Sequence, residues 1–255
     1  MSENILVKII GYPATILHGD TAVFDRWMWL RRNLKPGSLR ALDAGCGSGA
    51  FTMYAAKIGN EAVGISFDER NNKAAEERAN LLKIKNIRFM TGDLRKLGEL
   101  KKTLGYFDQI ICFETIEHIL DDKKLVKNFY DMLKPGGKLL ITAPYKNYYK
   151  HLLGDDKTSL STCEDGGHVR WGYTHEEIEN IFNSVNLAIE KKDYISGIVS
   201  QLLVVLGRFL QAKINYKIAW LVVFPLRIFA VLDPLISKLF KFSHLSIGVI
   251  GIKKI

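Results

Sequence analysis

The stretch "LDAGCGSG", residues 42–49, decides how the rest of the chain is interpreted. It follows a short apolar segment and precedes a segment with helical character. Gly45, Gly47 and Gly49 let the backbone turn tightly and approach a ligand where a Cβ atom would clash. Asp43 places a carboxyl group two positions before the first glycine. Such a turn is typical of ligand-binding loops between a strand and a helix, but one loop alone is weak evidence.

Short apolar segments and helical patterns alternate around this loop from residue 38 to about residue 145. The apolar segments are rich in Val, Ile, Leu and Phe and are bounded by Gly, Asp or Pro, as buried parallel strands are. They read "LRALDAG", "EAVGIS", "NIRFMTG", "FDQIICF" and "GKLLITAP", and two later segments, "AIEKKDYIS" and "SIGVIGIKKI", complete the set. The pattern predicts an α/β fold with a Rossmann-like, mostly parallel seven-stranded sheet and helices on both faces.

Capping and helix-breaking residues indicate where several helices begin or end. The stretch "DTAVFDRWMWLRRNLKPG" predicts an amphipathic helix before the sheet, covering either the mouth of a ligand site or the edge of the sheet. The stretch "DDKKLVKNFYDMLKPGG" predicts a helix that ends at its Pro-Gly-Gly. Thr174 and Glu177 have the spacing of a capping box at the start of a third helix.

The glycine loop resembles the first motif of class I S-adenosylmethionine-dependent methyltransferases, and the resemblance extends over residues 38–196. The triplet "TGD" ends the third strand, where the acidic residue of that family contacts the adenine amino group. The stretch "LKPGGKLLITAP" matches the segment that leads into the fifth strand. The resemblance implies S-adenosylmethionine as cofactor, bound by Asp43, the three glycines, Asp93 and Leu94.

The end of the second strand departs from this family. An Asp or Glu usually stands there and holds both ribose hydroxyls. Here the position is Ser66, and Asp68 follows two residues later. Either Ser66 or Asp68 binds the ribose, or Asp68 caps the following helix.

The stretch "CFETIEH", residues 112–118, follows the fourth strand and places Glu114, Glu117 and His118 close together. It resembles the E-x-x-E-H segment of ubiquinone-biosynthesis O-methyltransferases and of small-RNA 2′-O-methyltransferases. In those families these residues bind a divalent cation, and the small-RNA enzymes add a second histidine, whose place His168 takes here. The resemblance implies Mg²⁺ or another divalent cation, which would lower the pKa of the acceptor hydroxyl.

Two other interpretations of this stretch stay open. His118 is a general base or positioning group without a metal, with Glu117 and His168 beside it. Alternatively, the acidic residues only complement the dipole at the start of a helix. His151 and His175 are weaker candidates for the same site.

Composition limits the class of protein. The chain has 255 residues, of which 47% are hydrophobic and 25% charged, and it has three cysteines. We expect a globular protein in a reducing, cytoplasmic setting, with neither a disulfide framework nor a zinc site. The first residues lack the pattern of a secretory signal. The net charge is +9, and residues 200–255 carry +7 of it.

Residues 197–245 form an apolar, basic insertion before the last strand, much longer than an ordinary hairpin loop. The longest charge-free run in this region, Tyr194–Gly207, has 14 residues, fewer than the roughly 20 that span a bilayer. We therefore expect peripheral membrane contact, with homodimer formation or packing on the core as alternatives. Nucleic acid is a poor fit, because the basic residues stand among long aliphatic side chains.

The sequence predicts three parts: a methyltransferase domain with an N-terminal helical cap (1–196), the helical insertion (197–245) and a last strand (246–255). The predicted activity is S-adenosylmethionine-dependent O-methylation of a small, lipidic or lipid-linked acceptor, with or without a divalent cation. One alternative is a metal-free C- or N-methyltransferase that uses His118 as base. Another is a non-catalytic, membrane-associated adaptor with the same fold.

Overall fold

The computed structural model describes residues 3–17, 21–149, 152, 154 and 159–254. At its centre lies a seven-stranded sheet in the order β3-β2-β1-β4-β5-β7-β6. The strands are β1 (Arg40–Ala44), β2 (Glu61–Ser66), β3 (Ile87–Thr91), β4 (Phe107–Phe113), β5 (Leu133–Pro144), β6 (Leu187–Ile195) and β7 (Ser246–Lys253). The first five pair in parallel, and β7 runs antiparallel between β5 and β6. The predicted Rossmann-like sheet is confirmed.

Helices cover both faces of the sheet. They are α1 (Glu3–Ile10), α2 (Pro13–Leu17), α3 (Thr21–Asn33), α4 (Ala50–Lys57), α5 (Glu69–Leu81), α6 (Leu97–Leu104), α7 (Asp122–Met132) and α8 (His175–Ser184). Neighbouring strand residues alternate between the faces. Ile110 belongs to a core cluster that includes α7 and α8 side chains, and Ile111 belongs to one that includes α3 and α4 side chains.

The C-terminal end of α7 differs from its prediction. The helix ends at Met132, and the Pro-Gly-Gly lies inside β5. Leu133 is fully buried and pairs with Phe107 at the start of β4. Pairing with a neighbouring strand therefore stops the helix before the proline does, and this long-range contact has no local signal.

Helix α3 lies on the sheet beside β6 and β7. The Trp29 indole N–H donates to Asp193 Oδ2 on β6 at 2.6 Å, and a Cβ on Gly248 would come within 2.7 Å of the Trp29 ring. From the same helix, Arg26 reaches Glu114 after β4, with Nη1 3.1 Å from Oε2. The helix thus both covers the sheet and contributes a side chain near its carboxyl edge.

Between β6 and β7 the chain forms α9 (Ile198–Lys213), α10 (Tyr216–Leu226), a 3₁₀ helix (Arg227–Leu232) and α11 (Asp233–Leu239). Residues Tyr216–Leu239 are continuously helical over 24 residues. They include an 18-residue apolar stretch of which 22% is buried inside the protein. By length and composition alone this stretch is able to cross a membrane. The expectation that the insertion is too short was wrong on this point, because it counted charge-free runs and treated Arg227 and Asp233 as interruptions.

Candidate active site

A cleft of about 360 Å³ opens at the carboxyl edge of the sheet, where the strands around β1 deliver their loops. It is lined by Gly45, Phe67, Asp93, Leu94, Arg95, Thr115, His118, Ile119, Glu164, Asp165 and Gly166. The cleft brings together predicted cofactor residues and one predicted acceptor-side residue, His118. Ligands of open α/β sheets bind at this edge, where neighbouring loops diverge.

The glycine loop contributes Gly45 to the lining of this cleft. Gly45 has a φ of 85°, and a Cβ there would lie 2.3 Å from Thr115 Oγ1. At Gly49, with a φ of 81°, a Cβ would meet the Phe89 ring at 2.7 Å. Gly47 has nothing within 4 Å of its Cβ position, so its backbone is open toward a ligand. Packing against neighbouring side chains therefore requires glycine at positions 45 and 49, while the space beside Gly47 leaves room for a ligand at the backbone.

Asp43 lies beneath the loop rather than in the cleft. It is 2% exposed, and its Oδ2 accepts a hydrogen bond from Thr52 Oγ1 at 2.6 Å. Burial raises the pKa of Asp43 to about 6, against the opposing effect of the Thr52 hydrogen bond. Asp43 therefore joins the loop to the first turns of α4 and lies outside the lining of the cleft.

The end of β2 shows what its two polar residues do in the structure. Ser66 is buried, and its Oγ accepts a hydrogen bond from the backbone N–H of Asp68 at 3.3 Å. Asp68 is the N-cap of α5 and accepts from the Arg70 backbone N–H at 2.9 Å. The Arg70 side chain also holds the pKa of Asp68 below its usual range. A ribose role for either residue stays a prediction.

Phe67, between these two residues, is a cleft residue that the sequence interpretation missed. Its side chain is 73% exposed and lines the cleft. An exposed aromatic ring offers a face on which an adenine ring would stack. The available signal was a large aromatic directly after a strand that ends at the ligand edge.

Asp93 caps a short 3₁₀ helix (Leu94–Lys96) and is held by Arg95. Arg95 Nη2 lies 2.6 Å from Asp93 Oδ2, and Nε lies 2.8 Å from Oδ1. The Arg95 guanidinium lowers the pKa of Asp93. Arg95 Nη1 also lies 3.4 Å from Glu164 Oε2 in the loop before α8. An adenine amino group would share Asp93 with this guanidinium or displace it.

Glu117, His118 and His168 form a compact cluster, in which one ligand atom from each residue lies within 4.8 Å of the others. His118 Nδ1 lies 3.0 Å from the Gly167 carbonyl oxygen. Because a carbonyl oxygen only accepts, Nδ1 carries the proton and Nε2 keeps a lone pair. Nε2 lies 3.9 Å from Glu117 Oε1. With this lone pair, Nε2 is able either to bind a metal ion or to accept a proton.

Glu117 is the most buried member of the cluster, with 1% exposure. Its Oε2 has no hydrogen-bond partner within the part of the chain that the structure describes. Burial, followed by the charge of Glu114, raises the pKa of Glu117 well above its usual range. A buried carboxylate in this state favours binding of a proton or a cation.

Glu114, the fourth predicted ligand, lies apart from this cluster. It has a φ of 46°, a conformation that is strained for a side chain other than glycine. Its Oε2 pairs with Arg26 at 3.1 Å and lies 3.4 Å from Ser246 Oγ on β7. The structure thus joins three of the four predicted ligands. Arg26 carried no signal, since its position relative to Glu114 depends on tertiary packing.

Two backbone hydrogen bonds fix the loop before α8, which carries His168 of the cluster. The Ser161 backbone N–H donates to the His168 carbonyl oxygen at 2.8 Å, and Val169 N–H donates to the Glu117 carbonyl oxygen at 3.1 Å. The weaker candidate His175 has its Nε2 2.9 Å from the Asp193 carbonyl oxygen, away from the cluster. His151 lies outside the described residues.

Comparison with known proteins places this site in a family. The family model described as "Methyltransferase domain" matches residues 36–195. The mitochondrial ubiquinone biosynthesis O-methyltransferase of Bos taurus is 30% identical over 157 residues, which cover 60% of this chain and 42% of that protein. The ubiquinone biosynthesis O-methyltransferase of Coxiella burnetii (strain RSA 493 / Nine Mile phase I) is 29% identical over 127 residues, covering 50% of this chain and 53% of that protein. The chain spans about half the length of these curated relatives.

Solved structures share the fold at low sequence identity. An S-adenosylmethionine-dependent methyltransferase from Mesorhizobium loti has a TM-score of 0.59 and 16% identity, covering 92% of this chain and 99% of that chain. Phosphoethanolamine N-methyltransferase 2 of Haemonchus contortus, solved in complex with S-adenosyl-L-methionine, has a TM-score of 0.60 and 16% identity. The match covers 100% of this chain and 60% of that chain. Since the family model matches more than half of the chain, this chain belongs, through its methyltransferase domain, to the S-adenosylmethionine-dependent methyltransferases.

Proposed function

We propose that the domain transfers a methyl group to a hydroxyl oxygen of a small, lipidic or lipid-linked acceptor. The observation that carries this proposal is the cluster of Glu117, His118 and His168, whose His118 lines the cofactor cleft. The relatives named for ubiquinone biosynthesis support oxygen as the acceptor atom. The apolar insertion supports an acceptor with a lipidic part.

One set of residues fits the cofactor and another activates the acceptor hydroxyl. S-adenosylmethionine, when bound, supplies a methyl group on a positively charged sulfur. The open backbone at Gly47, the Asp93 carboxylate and the Phe67 ring fit the parts of this cofactor. Without a cation, His118 Nε2 accepts the hydroxyl proton, since Gly167 holds the ring through Nδ1; with a cation bound, the same Nε2 is a ligand instead. The charged imidazolium in turn favours the ionised form of Glu117, whose Oε1 lies 3.9 Å from Nε2.

A divalent cation fits the same cluster. Glu117, His118 and His168 would hold it, and there it would lower the pKa of the acceptor hydroxyl. The orphaned Oε2 of Glu117 supports this assignment, because a buried carboxylate oxygen without a partner is costly unless a cation compensates it. Glu114 is left out of the set, since Arg26 already neutralises it.

The second candidate is a metal-free C- or N-methyltransferase with His118 as base. The contact between His118 Nδ1 and Gly167 supports it, because this contact alone fixes the tautomer that a base requires. The membership in an enzyme family argues against the non-catalytic adaptor that the sequence left open.

The test is transfer of labelled methyl from S-adenosylmethionine to a phenol with and without a long hydrocarbon tail, and to an amine. We expect the tailed phenol to be the preferred acceptor. His118→Ala should lower kcat by about 100-fold or more, with cofactor affinity by calorimetry within a few-fold of wild type. His175→Ala is the matched control and should keep the activity. Preference for the amine, or no binding of S-adenosylmethionine, would contradict the proposal.

The metal is tested separately by calorimetric titration with Mn²⁺. We expect one ion to bind, and we expect Glu117→Gln and His168→Ala each to weaken binding about tenfold or more. A chelator should abolish activity, and Mn²⁺ or Mg²⁺ should restore it. If no ion binds and the chelator leaves activity intact, His118 acts as a metal-free base.

A further inference from the structure

The helical stretch of residues 216–240 has its polar and apolar faces exchanged relative to an ordinary surface helix. Every third or fourth residue faces inward and is buried or half-buried, and several of these are polar: Ala219, Val223, Arg227, Ala230, Asp233 and Ser237. The outward face is made of large apolar side chains that are about two-thirds exposed or more, among them Leu221, Ile228, Val231, Leu235, Leu239 and Phe240. A helix in contact with water shows the opposite arrangement.

The inward polar groups attach this stretch firmly to the rest of the molecule. Asp233 accepts hydrogen bonds from the backbone N–H groups of Gly197, Val199 and Ser200 at 2.6–3.1 Å. Ser237 Oγ accepts from the Ile198 N–H at 3.0 Å. Because Asp233 and Ser237 cap the start of α9, moving the stretch away from α9 would leave buried polar groups unpaired.

A second attachment lies near the other end of the stretch. Arg227 Nη1 and the Trp220 indole N–H both donate to the Leu17 carbonyl oxygen, at 3.1 and 2.7 Å. Insertion of the stretch across a bilayer would break these bonds and place Arg227 and Asp233 in hydrocarbon, which is costly. The helical stretch is long enough to span, yet its attachments keep it lying along the protein.

Charge on the outward face indicates what covers it. Residues 218–237 are all described, and their two charged side chains, Arg227 and Asp233, are both buried. The exposed charges lie at the ends and are all positive: Lys213, Lys217, Lys238 and Lys241. An apolar centre with a cationic rim complements the hydrocarbon boundary and the anionic headgroups of a lipid leaflet. In a symmetric dimer through this face, the same lysines would meet a surface without acidic partners.

We propose that the outward face of residues 216–240 docks in the interface of a bilayer that contains anionic lipid, with the stretch parallel to the membrane. Ser196, the residue directly before the insertion, donates from Oγ to Asp25 Oδ2 on α3 at 2.7 Å. Helix α3 is the element that supplies Arg26 to the active site. The segment that leads into the insertion is thereby joined to the helix that carries Arg26.

The experiment is co-sedimentation of the full chain with phosphatidylcholine vesicles, with and without about a quarter phosphatidylglycerol. We expect the anionic vesicles to bind the chain about tenfold or more tightly than the neutral ones. Ile228→Glu with Val231→Glu should lower binding by about tenfold or more. Tyr106→Glu with Leu81→Glu changes two exposed apolar residues elsewhere and should leave binding unchanged.

A second pair of variants tests the charged rim. Lys217→Gln with Lys238→Gln should weaken binding to anionic vesicles about tenfold, while Lys73→Gln with Lys102→Gln, also exposed, should have little effect. Calorimetric binding of S-adenosylmethionine shows that each variant is folded. The vesicles contain no acceptor, so the result is independent of the proposed function.

Three outcomes would overturn the proposal. The wild type remains in the supernatant with anionic vesicles, or the Ile228→Glu/Val231→Glu variant sediments like the wild type. The third is a lipid-free dimer in sedimentation velocity that this double variant dissociates, which would assign the face to a second copy of the chain.

Discussion

Glu114 and Glu117 carry the same carboxyl group three positions apart, yet their surroundings give them different partners. Arg26 neutralises Glu114, while Glu117 is buried beside two imidazoles. Within the described residues each of the two has one buried oxygen, Glu114 Oε1 and Glu117 Oε2, without a hydrogen-bond partner. The sequence predicted both residues near the site, because both follow β4 at the carboxyl edge of the sheet. Which of them can take a cation depends on α3, whose position is a matter of tertiary packing.

Asp43 gives a prediction at the same scale. Its pKa of about 6 lies above the ordinary value of 3.8. Below about pH 4 the group is protonated in the folded and in the unfolded chain, so its burial costs little free energy of folding. As pH rises through 6, the folded chain has to ionise a buried carboxyl, and stability is lost.

Asp43→Asn removes this cost and keeps an acceptor for Thr52. At pH 4 we expect the variant and the wild type to have nearly the same free energy of unfolding. At pH 7 we expect that of the variant to be about 2–3 kcal/mol higher. Urea unfolding at the two pH values measures it. Exposed Glu76→Gln should show no such trend. An equal effect of Asp43→Asn at both pH values would contradict the prediction.

At the scale of elements, helix starts were easier to predict than helix ends. The capping box of α8 is present in full: Thr174 Oγ1 accepts from the Glu177 N–H at 3.2 Å, and the Glu177 carboxylate accepts from the Thr174 N–H at 2.8 Å. The two partners are three positions apart, so the signal is local. The end of α7 was misplaced because Leu133 pairs with β4, more than twenty positions away.

Thr174→Ala tests the value of the capping box. The substitution removes the acceptor of the Glu177 N–H, and we expect the free energy of unfolding to fall by about 1 kcal/mol. Chemical denaturation measures the change. Thr103→Ala, at an exposed position inside α6, should cost less than half as much, since alanine is the better helix former there. Equal losses in the two variants would show that the cap contributes nothing specific.

At the scale of the whole molecule, polar groups both join the parts of the insertion to one another and attach it to the rest of the chain, as the bonds from Trp220 and Arg227 to the Leu17 carbonyl oxygen do. Its first turn buries Ser200 and Gln201, and Gln201 Nε2 donates to the Ser243 carbonyl oxygen at 2.7 Å. Asp233 joins the start of α9 to the start of α11. Loss of the bonds to Asp233 would detach α11 from α9 while the sheet stays intact.

Asp233→Asn tests this attachment. The variant keeps one acceptor oxygen where three N–H groups now bind, so we expect a loss of about 1–3 kcal/mol. The loss should be local: hydrogen exchange of residues 198–239 should accelerate about tenfold or more, with β1 and β4 unchanged. Asp131→Asn, which removes an ion pair with Lys127 on α7, is the control. Uniform acceleration across the sheet would show that the insertion is an integral part of the core.

The sequence by itself determined the fold class, the glycine loop, the position of Asp93 after β3 and the placement of the E-x-x-E-H segment after β4. These features are local, because residues a few positions apart set strand periodicity, turns and caps. The tertiary structure alone decided that Glu114 pairs with Arg26 and lies apart from the cluster of Glu117, His118 and His168, and that the insertion turns its apolar side outward. Those arrangements join residues far apart in the chain, and burial and long-range packing select them after the local elements have formed.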